Sequence, residues 1–112
     1  MPAYSVSAQT DTQIITISAK ELYDGLKNKS LSFNFNQEII VTGILRNTGS
    51  SILYNSAYLL ISDHENGNIY VKAVLADKNK RNEYQNGQAV RIRGQFYVER
   101  SNVILIKGAE SE

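Results

Sequence analysis

Apolar residues change their spacing near residue 38, which divides the chain into a helical part and a β part. Ahead of that point, apolar side chains recur at the i, i+3, i+4 and i+7 positions of one helix face. These are Ala19, Leu22, Tyr23 and Leu26. Ser18 followed by Glu21 forms the capping-box pattern, in which the two side chains satisfy free backbone amides at a helix start. We therefore predict a short amphipathic helix over residues 19–28.

After residue 38 apolar and polar residues alternate and β-branched residues dominate, which is typical of strands. We predict five strands, at residues 38–47, 58–63, 68–75, 88–98 and 103–107. The segment His64-Glu65-Asn66-Gly67 predicts a tight turn between the second and third strands, with positive φ at Asn-Gly. The polar segment 77–86 connects the third strand to the fourth.

Two glycines lie in the middle of predicted strands, Gly43 in the first and Gly94 in the fourth. A glycine there weakens a strand, so it usually marks the bend or bulge that a small barrel needs. Five strands with one non-hairpin connection, between the third and fourth, have the connectivity of the OB barrel. We therefore predict a mainly β fold, a five-stranded OB-fold β-barrel preceded by the short amphipathic α-helix. The alternative is a flat antiparallel sheet with the helix on one face.

The length of 112 residues fits one domain. Residues 1–13 are rich in Ser, Thr, Gln and Ala, which indicates a flexible leader. Residues 14–108 form a single OB-fold domain in this interpretation, with the barrel at 37–107. Residues 109–112 are expected to form an acidic tail.

Two strand segments resemble a known family. Ile40-Val41-Thr42-Gly43-Ile44 and the segment 87–94 are similar to the first and fourth strands of the bacterial tRNA-anti-like OB-fold proteins. The resemblance covers residues 18–108 and implies an amphipathic helix ahead of the barrel, at 20–23, and nucleic-acid binding. Several such proteins carry an export signal or a lipid anchor. The connector after the third strand has only Tyr84 as an apolar anchor, so we expect the N-terminal helix to replace the usual barrel-plugging helix.

OB barrels bind ligands on the outer face of the second and third strands, between the loops after strands one and four. If Ile69, Val71 and Ala73 face inward, Tyr70 and Lys72 face outward. A base can stack on such a ring while the ammonium neutralises a phosphate. Tyr58 adds a second ring, and three further residues belong to the flanking loops or their ends. These are Tyr54, Arg46 and Arg100. The alternative is that Tyr58 and Tyr70 are ordinary half-buried strand residues.

The fourth strand offers a second candidate surface, because Arg91, Arg93 and Tyr97 share one face of it. Two arginines at i and i+2 can follow a phosphate backbone. The alternative is a solvated face whose arginines pair with Glu38 or Glu99 on neighbouring strands.

Catalytic and metal-binding patterns are weak in this chain. The single His64 lies between Asp63 and Glu65, but consecutive strand positions point to opposite faces, so we expect no metal site. The chain has no cysteine, no glycine-rich phosphate loop and no nucleophile motif. We therefore expect a binding protein without cofactor or metal, not an enzyme.

The net charge is +1, but residues 37–108 hold nine Lys or Arg against six Asp or Glu, a local charge of +3. This permits weak anion binding.

The leading hypothesis is binding of single-stranded nucleic acid with little sequence specificity, in the cytoplasm. The alternative is a protein-interaction or structural OB domain, extracytoplasmic or lipid-anchored if an export segment is missing from this chain. A sugar or other small-molecule ligand is a third hypothesis. The longest apolar runs, four or five residues, predict no membrane insertion by this chain.

Overall fold

The computed structural model describes residues 14–100 and 103–112, and for Arg100 the backbone alone. The predicted leader at 1–13 lies outside the described residues. The elements in chain order are β1 (Ile15–Ser18), α1 (Ala19–Lys27), β2 (Glu38–Ser51), β3 (Ser56–Ser62), β4 (Val71–Leu75), a 3-10 helix (Lys78–Glu83), β5 (Ala89–Arg100) and β6 (Val103–Ser111). The predicted helix corresponds to α1, and the five predicted strands correspond to β2 through β6.

The strands form one sheet in the order β1-β2-β3-β4-β6-β5, and a further pairing between β2 and β5 closes five of them into a barrel. β4 and β6 run parallel, while the other pairs within the barrel are antiparallel. This is the OB connectivity, in which the one long connection joins the third and fourth barrel strands. The predicted closed barrel behind a short helix is confirmed, and the flat sheet is not observed.

Strand β2 changes its partner midway, which closes the barrel. It pairs with β5 from Glu38 to Ile44 and with β3 from Ile44 to Ser51. Gly43 lies at this change, and a Cβ there would overlap the carbonyl oxygen of Ser62. Gly94 lies where the β5–β6 register shifts, and a Cβ there would overlap the Ile106 side chain. Both glycines thus occupy the irregular positions that their mid-strand location predicts.

The core contains side chains from α1 and from every barrel strand. Ala19 and Leu22 of α1 are fully buried in it, whereas the 3-10 helix after β4 contributes no buried residue. Tyr84, at the end of the 3-10 helix, is half-buried against the core, and burial raises the pKa of its hydroxyl. The N-terminal helix therefore supplies the core contacts that the connector lacks, as expected from the sequence.

Strand β1 was not predicted. It pairs in parallel with β2, from Ile15 opposite Ile39 to Ser18 opposite Thr42. Ser18 ends this strand and also caps α1, because its Oγ accepts a hydrogen bond from the Glu21 amide at 3.1 Å. The Glu21 carboxylate accepts in return from the Ser18 amide at 3.4 Å. The predicted capping box is confirmed.

Replacing Ser18 with alanine is expected to lower the free energy of unfolding by about 0.5–2 kcal/mol, because the Glu21 amide loses its acceptor. Urea unfolding followed by circular dichroism measures the loss. The exposed Ser32, outside the helix, provides a matched Ser→Ala control. Equal stabilities of the two variants would contradict the capping role.

The turn between β3 and β4 differs from the prediction. The Gly67 amide donates to the His64 carbonyl at 3.0 Å, so a tight turn is present, but neither Asn66 nor Gly67 has positive φ. The predicted backbone conformation was wrong. Gly67 leaves room here for the Ser62 hydroxyl and the Asp63 carboxylate, which a Cβ would displace.

Several strand ends also differ from the predicted ones. β4 begins at Val71 rather than residue 68, and β2 continues to Ser51. β6 continues to Ser111, and Ala109 is buried, so residues 109–111 belong to the sheet rather than to a tail. Hydrogen bonds across the ladder hold these polar ends in place, which sequence alternation alone does not reveal.

Candidate functional site

The outer surface of β3 and β4 forms the face on which OB barrels bind ligands. Burial alternates along both strands, so one set of side chains enters the core and the other is half-exposed. The half-exposed set is Tyr58 and Leu60 on β3 with Lys72 and Val74 on β4. In the register, Leu60 lies opposite Lys72 and Tyr58 opposite Val74. The predicted outward orientation of Lys72 agrees with this arrangement.

Lys72 lies beside the ring of Tyr58. The Lys72 ammonium is 4.2 Å from the centroid of that ring, a cation–π contact. Tyr58 also lies directly opposite Gly49 of β2, and a Cβ at Gly49 would overlap the Tyr58 ring. The ring therefore extends over the glycine, and the ammonium is next to it on the outer face.

Tyr70 has a different environment from the predicted one. Its ring packs on Tyr23 of α1, with centroids 5.0 Å apart, and it is half-buried against the core. Tyr70 therefore joins the helix to the barrel, and the ring that the structure brings to Lys72 is that of Tyr58.

The loop residues are placed differently from one another. Tyr54 is 77% exposed at the β2–β3 turn, next to the exposed Ile52 and Leu53. The Arg46 guanidinium donates a hydrogen bond to the Gly67 carbonyl, so it braces the β3–β4 turn. The side chain of Arg100 lies outside the described residues.

On β5 the three residues of the second candidate surface have different surroundings. The Arg93 guanidinium donates to the Glu38 carboxylate, with 2.9 Å between Nε and Oε1, and this hydrogen bond raises the pKa of Arg93. It is the cross-strand pair that the alternative interpretation expects. Arg91 is exposed, whereas Tyr97 lies at a register shift between Phe96 and Val98 and contacts a separate group of residues.

That separate group, which we call the Phe35 cluster, consists of Phe35, Tyr97 and Lys107. The two ring centroids are 5.2 Å apart, and the Lys107 ammonium lies 5.0 Å from the first and 4.9 Å from the second. Sequence reasoning missed Phe35 and Lys107 as site residues. The alternation along β6 could have indicated that Lys107 faces outward. Val103 and Leu105, four and two residues before it, lie on the same side of the strand and are half-exposed. Phe35 lies ahead of β2 and is 61% exposed, while the nearby Phe33 packs on Phe96.

A cleft of about 400 Å³ separates the β2–β3 hairpin from the 3-10 helix. Its lining includes Ser50, Asn55 and Arg81, and the Lys78 ammonium crosses to the Asn55 side chain. Lys80 on the same connector is exposed. Lys78 instead ties the connector to the hairpin.

The Asp63-His64-Glu65 segment forms a local pair, with 2.8 Å between His64 Nδ1 and Asp63 Oδ1. Glu65 lies beside Gly87 instead. Within residues 14–100 and 103–112, no three His, Asp or Glu groups are placed to hold a metal ion. No helix in the same ranges is long and apolar enough to cross a membrane.

Comparison with known proteins agrees with the fold. A model of the tRNA_anti-like family matches residues 4–109, nearly the whole chain, which confirms the resemblance seen in the sequence. No curated protein matches the chain significantly. The OB-type barrel is an architecture of binding modules, and the outer surface of β3 and β4 in this chain carries a lysine beside an aromatic ring. The chain therefore belongs to the tRNA_anti-like family.

Proposed function

We propose that the protein binds single-stranded nucleic acid, with little sequence specificity, through the outer face of β3 and β4. The observation that carries the proposal is the pairing of Lys72 with Tyr58, which sets a cation 4.2 Å from an aromatic ring on that face. Stacking on aromatic rings tolerates any base, and a lysine contacts any phosphate, so such a pair gives affinity without sequence preference.

A base can replace the Lys72 ammonium over the Tyr58 ring. The exposed cation–π contact contributes about 0.5–1 kcal/mol, whereas stacking of a base on an aromatic ring contributes about 1–3 kcal/mol. Lysine has a long, flexible side chain, so its ammonium can move from the ring to a neighbouring phosphate. Both new contacts, the base on the Tyr58 ring and the phosphate at the Lys72 ammonium, therefore favour binding of the ligand.

No carboxylate of the described residues forms an ion pair with Lys72. Among the residues described, neither Lys72 nor Lys107 belongs to an ion pair, while Lys20, Lys27 and Arg93 each pair with an acidic side chain. The unpaired lysines suit a phosphate ligand. Because the local charge is small, we expect a dissociation constant of about 1–100 µM at physiological salt, in the range of non-specific binders.

Replacing Lys72 with alanine is expected to reduce the salt dependence of binding. Loss of one phosphate contact lowers the slope of log K against log salt by about 0.7, because one fewer counterion is released. Tyr58→Ala is expected to weaken binding about 5- to 150-fold with little change in slope, because it removes stacking rather than charge. Tyr58→Phe keeps the ring and most of the affinity. Fluorescence anisotropy with a labelled oligonucleotide, between about 50 and 200 mM salt, measures both quantities.

Lys20→Ala is the matched control, because it removes one positive charge from the exposed surface of α1. It should change affinity and slope less than Lys72→Ala. Absence of binding at about 50 mM salt would overturn the proposal, since phosphate contacts are strongest there. Equal slopes for the two lysine variants would show that Lys72 does not contact phosphate.

A protein ligand is a second candidate, supported by the β2–β3 turn. Ile52 is 98% exposed and Leu53 83% exposed, beside the exposed Tyr54. Neighbouring exposed apolar side chains of this kind are typical of interaction surfaces. A chain that binds no oligonucleotide at low salt would leave protein binding as the better supported function.

A further inference from the structure

The Phe35 cluster lies on the same outer surface as the Tyr58–Lys72 pair. Tyr58 lies opposite Val74 in the β3–β4 register. On the other side of β4, Ala73 pairs with Ile106 and Leu75 with Ala109, so Val74 lies opposite the Lys107–Gly108 segment of β6. Tyr58, Val74 and Lys107 therefore form one row across three neighbouring strands, and all three are half-exposed.

The row ends at two further rings. Gln95 of β5 pairs with Lys107, and the ammonium of Lys107 lies about equally far from the rings of Phe35 and Tyr97. Between the two groups of rings the surface is apolar, with Leu60, Val74 and Leu105 half-exposed. Neighbouring strands are about 4.8 Å apart, so the three spacings from β3 to β5 separate the two groups by roughly 14 Å.

The Phe35 cluster is poorly explained as core packing. Phe35 is 61% exposed and Tyr97 36% exposed, which leaves ring surface open to solvent. Lys107 is held beside these rings without a carboxylate among the described ion pairs. Exposed rings beside an unpaired ammonium repeat the chemistry of the Tyr58–Lys72 pair.

We propose that the Phe35 cluster is a second subsite for the same ligand, in which a base stacks on Phe35 or Tyr97 and Lys107 contacts a phosphate. This inference rests on the proposed function. The single strand then crosses the barrel from β3 over β4 and β6 to β5. Its bases occupy both groups of rings, and the apolar surface between them contacts the intervening nucleotides. A span of roughly 14 Å requires several nucleotides, within the 4 to 16 that OB domains bind.

Phe35→Ala is expected to weaken binding of an oligonucleotide of about 12 nucleotides by fivefold or more, without changing the salt slope. Lys107→Ala is expected to lower the slope by about 0.7 and to weaken binding less at high salt than at low salt. Tyr97→Phe, which keeps the ring, should bind like the wild type. Fluorescence anisotropy over a salt series measures these effects, and circular dichroism checks the fold of each variant.

Ile15→Ala is the control, because it removes an exposed apolar side chain from β1, which belongs to neither group of rings. If Tyr58→Ala weakens binding while Phe35→Ala and Lys107→Ala match this control, the second subsite is overturned and the proposed function stands. If the Phe35 and Lys107 variants weaken binding and Tyr58→Ala does not, the second subsite is supported and the β3–β4 face is not the primary site. Absence of oligonucleotide binding by the wild type overturns both.

Discussion

Leu22→Ala is expected to lower the free energy of unfolding by about 2–5 kcal/mol, the largest effect among the substitutions considered. Leu22 is fully buried and lies on α1, which supplies the core contacts that the connector after β4 does not. Truncation removes buried apolar surface and leaves a cavity that the closed barrel has little freedom to fill. Urea unfolding monitored by circular dichroism measures the change in midpoint at constant m-value.

Leu26 provides the control on the same helix, because it is only half-buried against the core. Leu26→Ala should therefore cost less than Leu22→Ala. Equal effects of the two substitutions, or a loss below 1 kcal/mol for Leu22→Ala, would mean that α1 packs loosely on the barrel and does not complete its core.

Gly43→Ala is expected to destabilise the protein by about 1–3 kcal/mol or more. The added methyl group would overlap the Ser62 carbonyl oxygen and the Ile61 side chain at the point where β2 changes partner. Since a backbone carbonyl cannot rotate away, the strands must move apart or the ladder must break. Thermal and urea unfolding measure the loss, and a variant as stable as the wild type would show that β2 can bend without a glycine.

Gly49→Ala is the matched substitution on the same strand. Its methyl group meets the outer end of the Tyr58 ring, which can rotate, so the loss of stability should be smaller than at Gly43. Movement of the ring would separate it from Lys72. Under the proposed function, Gly49→Ala should therefore weaken oligonucleotide binding with little loss of stability. Gly43→Ala should instead mainly lower the stability.

The barrel could be predicted from the sequence because its determinants are local. Period-two alternation identifies the barrel strands, Gly43 and Gly94 mark their bends, and Ser18 with Glu21 marks the helix start. Strand β1 could not be predicted in this way. It has four residues, and its parallel pairing to β2 joins segments that lie more than twenty residues apart. A short segment of this kind carries almost no periodic signal.

The candidate site was only partly predictable. The alternation along a strand shows which side chains face outward, whereas the register between strands decides which of them become neighbours. Alternation gives the outward direction of Lys72, but the ring next to it depends on which residue of β3 lies across the ladder. The register pairs Lys72 with Leu60, so Tyr58, two residues away on the same face, becomes its neighbour. The packing of Tyr70 on α1 and the position of Phe35 beside β5 depend on how separate elements dock, which a single sequence does not encode locally.

Ser18 belongs to β1 by its backbone pairing and to α1 by its capping hydroxyl, so no linker separates the two elements. Each helical residue turns the chain by about 100°, and each strand residue reverses the side of the sheet. One extra residue at this junction would therefore rotate Leu22 away from the barrel or invert the faces of β1. The number of residues between Ile17 and Leu22 is thus fixed by geometry, whereas their identities, apart from the cap and the buried Ala19, are freer to vary.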